Sequence, residues 1–282
     1  FNTALGNYSG RHISGGSYNV YIGGRAGTRS KTGTYNTVIG YNSGSNGTTD
    51  TGTTSTYNYS TFLGSYSGHK SYGFYLSLHG YYSGYNLTSG SYSTFNGSHS
   101  GYNTTSGSSN VFTGYQSGYY NKYGGYNTYI GTACARGSWG SSGGYYNTFI
   151  GRGAGYTINS GQYNTILGYY GGRNITSGMY NTLIGSNTGY NIQGSDRNTT
   201  LGYSSGYFNT GSDNIIIGYR AGSPSSNSTS GKLYIDITRT DTPLISGIFT
   251  PTASRKVTIN GDLEVTGSTT IPNLAGTFIG SI

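Results

Sequence analysis

Polar and apolar positions recur along this chain on a fixed period. In GSYNVYIGGRAG (16–27) and GTYNTVIGYNSG (33–44) the same offsets carry Gly, Tyr, Asn, an apolar pair, Gly and a closing Gly. With the Gly after the apolar pair as anchor, the phrase returns at Gly6, Gly23, Gly40, Gly64, Gly80, Gly97, Gly114, Gly131, Gly151, Gly168, Gly185, Gly202 and Gly218. Eight of the 12 intervals are 17 residues and two are 16; the others, 24 and 20, hold SNGTTDTGTTSTYNY and ARGSWGSSGGYYN and read as loops inserted into single coils. A fixed period of this size is the signature of stacked repeats.

The slots around each anchor are nearly invariant. Four residues before it stands Asn in 10 of 13 copies, and three before stands Thr in 9. Five before stands Tyr in 9 of the 12 copies long enough to show it: Tyr18, Tyr35, Tyr59, Tyr75, Tyr92, Tyr126, Tyr146, Tyr163 and Tyr180. Gly follows four after the anchor in 12 copies, and a small residue occupies the slot three after it. Segments such as YNTFIG (146–151) are β-branched and aromatic runs bounded by Gly, a strand signature. Helix is excluded, because three Gly slots per coil each cost about 1 kcal/mol against Ala in a helix and the apolar residues lack i, i+3, i+4 spacing. Each repeat is therefore expected to be a short strand, a Gly-bounded turn, a second short stretch and another turn.

Stacked in register, such coils make an all-β parallel β-solenoid or β-roll of about 13 coils, a rod on the order of 60 Å long at the inter-strand spacing. Tyr18 to Tyr180 form one expected ladder, and Asn19, Asn36, Asn110, Asn127, Asn147, Asn164 and Asn181 a second, with amides bonding the coil above and below. One coil cannot stand alone, so stability is collective. Adjacent strand residues face opposite sides. Of the two apolar columns before the anchor, one therefore lines the interior and the other points out. An outward column of Phe, Val and Ile is an interface by expectation, and the simplest cover is a second copy of the chain in a homo-oligomer, a trimer by preference. His79, Asn96 and Thr113 interrupt the column immediately before the anchor, which reads as a local polar ladder or a wet stretch of core.

Composition narrows the reading. There are 52 Gly and 33 Tyr but only 8% charged residues, and no run approaches a membrane span. The net charge of +8 is scattered rather than clustered, which argues against nucleic acid and is compatible with weak attraction to anionic glycans or cell surfaces. The chain opens on Phe1 inside a repeat, so the expectation is a mature or trimmed part of something longer. The single Cys134 falls in the small-residue slot and reads as packing. GRGAG (151–155) is explained by the repeat and needs no phosphate. With seven carboxylates in all, paired acid–base catalysis is not expected, and neither a cofactor nor a metal site is called. Asn86, Asn103 and Asn174 head Asn-x-Thr sequons and are candidate glycan acceptors.

The phrases YNTVIGYNSG, YNTFIGRGAGY and YNTLIGSNTGY, with NTTSG or NITSG spacers and the tail GKLYIDITRTDTPLISGIFTPTASRKVTINGDLEVTG (231–267), resemble the head repeats of trimeric autotransporter adhesins. They are more similar still to longer-period relatives in bacterial surface fibres and phage tail-fibre-like proteins. The resemblance implies a left-handed parallel β-roll, usually trimeric, on the outside of a cell or virion. Residues 1–230 are then the solenoid. Residues 231–282 are a small C-terminal β cap or connector, with KLYID and KVTINGDLEVTG as strands and NGD as a hairpin turn.

The isolated copy of the phrase at Thr277, Phe278, Ile279 and Gly280 is expected to pair with a neighbour's open first coil at Phe1 and Asn2 by strand addition. The leading functional expectation is a structural extracellular fibre or adhesin shaft, with glycan binding on exposed Tyr. The alternatives are a phage tail fibre, an ice-binding solenoid and, last, a glycan-cleaving fibre enzyme.

Overall fold

The computed structural model describes residues 1–45, 56–222, 228–249 and 256–262. Its strands are β1 (Asn2–Leu5), β2 (Asn19–Ile22), β3 (Thr37–Ile39), β4 (Thr61–Leu63), β5 (Ser77–His79), β6 (Thr94–Asn96), β7 (Val111–Thr113), β8 (Thr128–Ile130), β9 (Thr148–Ile150), β10 (Thr165–Leu167), β11 (Thr182–Ile184), β12 (Thr199–Leu201), β13 (Ile215–Ile217), β14 (Lys232–Ile235), β15 (Ile245–Ile248) and β16 (Lys256–Ile259). They form one 16-stranded sheet in chain order, so the molecule is a β-solenoid that adds one strand per coil. Register pairs slot with slot, as in Asn2 with Asn19 and Thr165 with Thr182. Both inserted loops leave it intact: Thr37 pairs with Thr61, and Thr128 with Thr148.

Only the three or four residues before each anchor are strand. The second short stretch of each coil is a run of turns, whose backbone still bonds coil to coil, as in Gly84 N–H to Ser100 O and Gly101 N–H to Ser117 O, each 2.9 Å. The corners are turned by left-handed residues. The slot five before the anchor has φ between 53° and 61° in every described coil from Tyr18 to Asp213, and the slot two after the anchor runs from 50° to 63°. At these slots the N–H turns back to the preceding coil (Tyr163 to Tyr145 O, 3.1 Å; Tyr170 to Arg152 O, 2.9 Å), whereas Thr165 N–H reaches forward to Asn181 O at 2.8 Å. Left-handed geometry thus changes direction without giving up an inter-coil bond. The anchor itself requires Gly. Gly114 has φ 126°, and a Cβ there would lie 2.6 Å from the Gly131 carbonyl oxygen one coil on.

The core settles the two apolar columns. The slot two before the anchor is inside: Tyr21, Val38, Phe62, Leu78, Phe95, Phe112, Tyr129, Phe149, Ile166 and Leu183 are all fully buried. The rings of Phe95, Phe112 and Tyr129 stack at 4.7 and 4.9 Å. The outward column is therefore the Leu/Ile column immediately before the anchor, and the Phe/Val/Ile column expected outside is the core. The reason is volume. The large rings fill the lumen against Leu87, Ile158, Ile175 and Ile192 from the far wall, and small residues three after the anchor leave them room.

Those small residues also satisfy backbone. Ser117 Oγ donates to Tyr129 O at 2.9 Å, and Cys134 Sγ takes the same place 3.3 Å from Phe149 O. Burial pushes the Cys134 thiol well above its usual range, as a packing role requires.

Beyond the last anchor the sheet changes sense. β14 still pairs in parallel with β13, so the segment expected to open the cap first adds another rung. β15 and β16 then pair antiparallel. β15 was not expected from the sequence. The second arm of the NGD hairpin and the Thr277–Gly280 phrase lie outside the described residues.

Candidate functional site: the outer ladders

Three outer surfaces run along the stack. The first is the sheet face. Alternation puts Asn inside, Thr outside, the ring inside and Leu or Ile outside. Ile39, Ile130, Ile150, Ile184 and Leu201 stand between 37% and 45% exposed, beside a half-exposed Thr column. His79, Asn96 and Thr113 lie in this outward column, so they interrupt a surface and not the core. His79 Nε2 is 3.3 Å from Ser77 Oγ on the same strand.

The second surface is the predicted Tyr edge. Tyr18, Tyr35, Tyr59, Tyr75 and Tyr92 stack at centroid distances of 4.9 to 5.3 Å, and Tyr126, Tyr146, Tyr163 and Tyr180 at 4.9 to 5.0 Å, all within 11° of parallel. Phe1 caps the first run at 5.9 Å. Ser109 interrupts the ladder. Past Tyr180 an ion pair continues it, Arg197 Nε donating to Asp213 Oδ1 at 2.6 Å. Arg197 holds the Asp213 carboxyl below the usual carboxylate range.

Directly inside this edge runs the Asn column. Asn164 Nδ2 donates to Asn147 Oδ1 (3.0 Å) and to Gly178 O (2.8 Å), while its Oδ1 accepts from the N–H and Nδ2 of Asn181, both 3.0 Å. Asn19, Asn127 and Asn147 repeat the pattern, and Asn36 and Asn110, which adjoin a Ser in this slot, keep part of it. Ser60 and Ser93 fill two of the gaps, with Oγ accepting the next coil's N–H at 3.1 Å.

The third surface was missed by sequence reasoning. Five residues after successive anchors the side chains are His69, Tyr85, Tyr102, Tyr119, Arg136, Tyr156, Arg173, Tyr190 and Tyr207. They form one continuous column. His69, Tyr85, Tyr102 and Tyr119 stack at 4.9 to 5.2 Å. Arg136 then sits over Tyr119 and Tyr156 at 5.6 and 5.7 Å, and Arg173 over Tyr156 and Tyr190 at 5.2 and 5.5 Å. Tyr190 stacks on Tyr207 at 4.7 Å, and Arg239 covers Tyr207 at 5.4 Å. A guanidinium is flat and cationic, so it replaces an aromatic rung.

The sequon residues Asn86, Asn103 and Asn174 lie half-buried beside this column. Asn86 Nδ2 donates to Asn103 Oδ1 at 3.0 Å and Asn174 Nδ2 to Asn191 Oδ1 at 2.9 Å, so the nitrogen a glycan would need is already engaged in both.

Among the described residues no group of His, Cys, Asp or Glu gathers as a metal site would need, and no helix is long and apolar enough to cross a membrane. No protein-family model, curated protein or solved structure matches this chain.

Proposed function

We propose that the protein is a structural shaft of an extracellular fibre or adhesin and that it associates with copies of itself through the outward sheet face. The observation that supports this reading is the Leu/Ile ribbon. It runs from β1 to β13, keeps its column because every strand is in register, and is interrupted only at His79, Asn96 and Thr113. A ribbon of that length carries a standing hydrophobic cost in water, and parallel packing of identical rods in a closed ring, three for preference, covers it along its length. Localisation outside a cell or virion, and strand addition by residues 277–280 onto the edge of β1, belong to the same proposal. A phage tail fibre has the same architecture and differs in what it is attached to.

The test is the oligomeric state of the chain by sedimentation velocity, with the double variant Ile150→Lys/Ile184→Lys alongside. The expected result is a discrete homo-oligomer for the natural chain and a folded monomer for the variant, with unchanged far-ultraviolet circular dichroism. A natural chain that sediments as a monomer overturns self-association through this face.

One observation favours a second reading. The outward Thr column stands in register beside the Leu/Ile column, a regular array of methyl groups and hydroxyls of the kind an ice-binding solenoid would use. Freezing-point hysteresis by a monomeric chain selects that reading, since a face buried in an oligomer cannot meet ice.

A further inference from the structure

Sugar rings bind aromatic side chains through the ring face, and that constrains where a glycan can sit. Along the Tyr edge each interior ring has both faces covered by its neighbours at about 5 Å. Away from that edge one aromatic side chain stands clear in the middle of the stack, Trp139, the single Trp of the chain, 86% exposed. It is carried by the inserted loop of the 20-residue coil, and the loop is fixed at both ends. Gly137 N–H donates to Tyr156 O at 2.9 Å, and Ser141 Oγ donates to Ile158 O at 3.0 Å. Trp139 meets Tyr120 edge to face at 6.1 Å and forms one wall of a groove of about 330 Å³, whose other sides include Lys70, Asn86, Asn103 and Lys122.

The polar chemistry of this groove is directional. Lys70 Nζ donates to Asn86 Oδ1 at 2.9 Å, and Asn86 Nδ2 to Asn103 Oδ1 at 3.0 Å. Among the described residues no hydrogen bond occupies Asn103 Nδ2. Lys122 Nζ rests over its neighbour Tyr123 at 4.9 Å. Among the described residues no carboxylate pairs with either lysine, and residues 51–195 contain no Asp or Glu. Residues 51–195 thus carry five of the eight net positive charges of the chain, and their cations lie in slots after the anchor and not on the Tyr edge. Lys70 and Lys122 stand three rungs apart, on the order of 14 Å at about 4.8 Å per rung, which matches a short oligosaccharide lying along the rod. The geometry points to an anionic-glycan site: Trp139 stacks a pyranose ring, the two lysines receive carboxylate or sulfate groups along the same strand of sugar, and Asn103 donates to a hydroxyl.

This site deepens the adhesin reading and rests on it for its biological sense, but it is tested separately. Trp139 fluorescence is its own reporter. The natural chain is titrated at fixed ionic strength with oligogalacturonate of three to six residues, with a neutral galactose oligosaccharide of equal length, and with polyglutamate as a polyanion lacking sugar rings. The expected result is a saturable emission change with oligogalacturonate alone. By calorimetry, Trp139→Ala and Lys70→Gln/Lys122→Gln each weaken that binding at least tenfold, with unchanged circular dichroism and unchanged sedimentation. Equal binding of the neutral sugar overturns the anionic specificity. Equal binding of polyglutamate together with full affinity in Trp139→Ala overturns the sugar site in favour of bare charge. No binding of any probe overturns the site. Loss of the oligomer with sugar binding retained would remove the shaft proposal and leave this one standing.

Discussion

The two long edges of the stack hold coil to coil by different physics. On the Tyr edge the exposed rings are nearly identical rungs, and directly behind them a buried column of Asn carries hydrogen bonds through successive coils. On the opposite edge the rungs are mixed. His69, tyrosines and guanidiniums alternate, and the amides behind them are half-buried and paired only locally. A hydrogen-bonded column fixes identity, because an Asn inside a run of Asn donates twice and accepts from the next coil. A stacked column fixes only shape and polarity, so a ring and a guanidinium are interchangeable there. Sensitivity to substitution should follow that division.

The largest effect belongs to the Asn column. Asn164→Ala leaves the Gly178 carbonyl and both Asn181 donors without their partners inside the core. At about 1–3 kcal/mol for each orphaned buried group, the loss should be on the order of 3–5 kcal/mol, read as a shift in urea midpoint. Asn164→Ser should recover part of it, since the chain itself uses Ser60 and Ser93 as acceptors in this slot. If the two variants unfold together, the column is not the source of the stability ascribed to it.

The mixed edge should yield less and tolerate more. Removing a guanidinium that lies between two rings, Arg173→Ala, should cost on the order of 1–2 kcal/mol. Arg173→Tyr should be close to neutral, and Arg173→Lys intermediate, because an ammonium cannot stack flat. On the Tyr edge the backbone offers a control. Tyr163 has φ 56°, a left-handed conformation that costs about 1–2 kcal/mol for a residue with a Cβ. Tyr163→Ala keeps that strain and loses about 1 kcal/mol or more of stacking, whereas Tyr163→Gly loses the stacking and the strain together. The Gly variant should therefore be the more stable of the two, an inversion of the usual order that thermal melts of the pair would detect.

The same division explains what could be read from the sequence. Tyr163 and Asn164 recur in their slots, so a simple alignment of repeats finds both ladders and the period, and with them the solenoid. The direction of the two apolar columns was not legible from hydrophobicity, since Ile166 and Leu167 are equally apolar. It was latent in His79, Asn96 and Thr113, three successive polar side chains that fit on an outer face without burying an orphan. The mixed ladder stayed hidden because Tyr156, Arg173 and Tyr190 look unrelated until stacking makes them equivalent. The Trp139 groove stayed hidden because it draws on several coils and an insertion, which no periodic pattern encodes.

The smallest effect sits at the first rung of the mixed edge. His69 is buried, stacks on Tyr85 at 4.9 Å, and has Nδ1 2.8 Å from Ser45 Oγ and 3.2 Å from the Asn42 carbonyl. Burial holds its pKa below the ordinary 6.5, and the charges of Lys70 and Arg29 act in the same direction, while the Asn42 carbonyl opposes them. A histidine that is harder to protonate in the fold than in the open chain favours the fold only while it is neutral. Stability should therefore be full above about pH 6.5 and decline as acid protonates the unfolded chain first, levelling only below the depressed folded value. His99, likewise depressed by burial, adds to the same decline. His69→Tyr keeps a ring in the stack and removes the titration, so the variant should lose less melting temperature between pH 7 and pH 5 than the natural chain. Parallel losses in the two proteins would mean that the acid response arises elsewhere, and that the mixed edge is indifferent to charge even at its one buried imidazole.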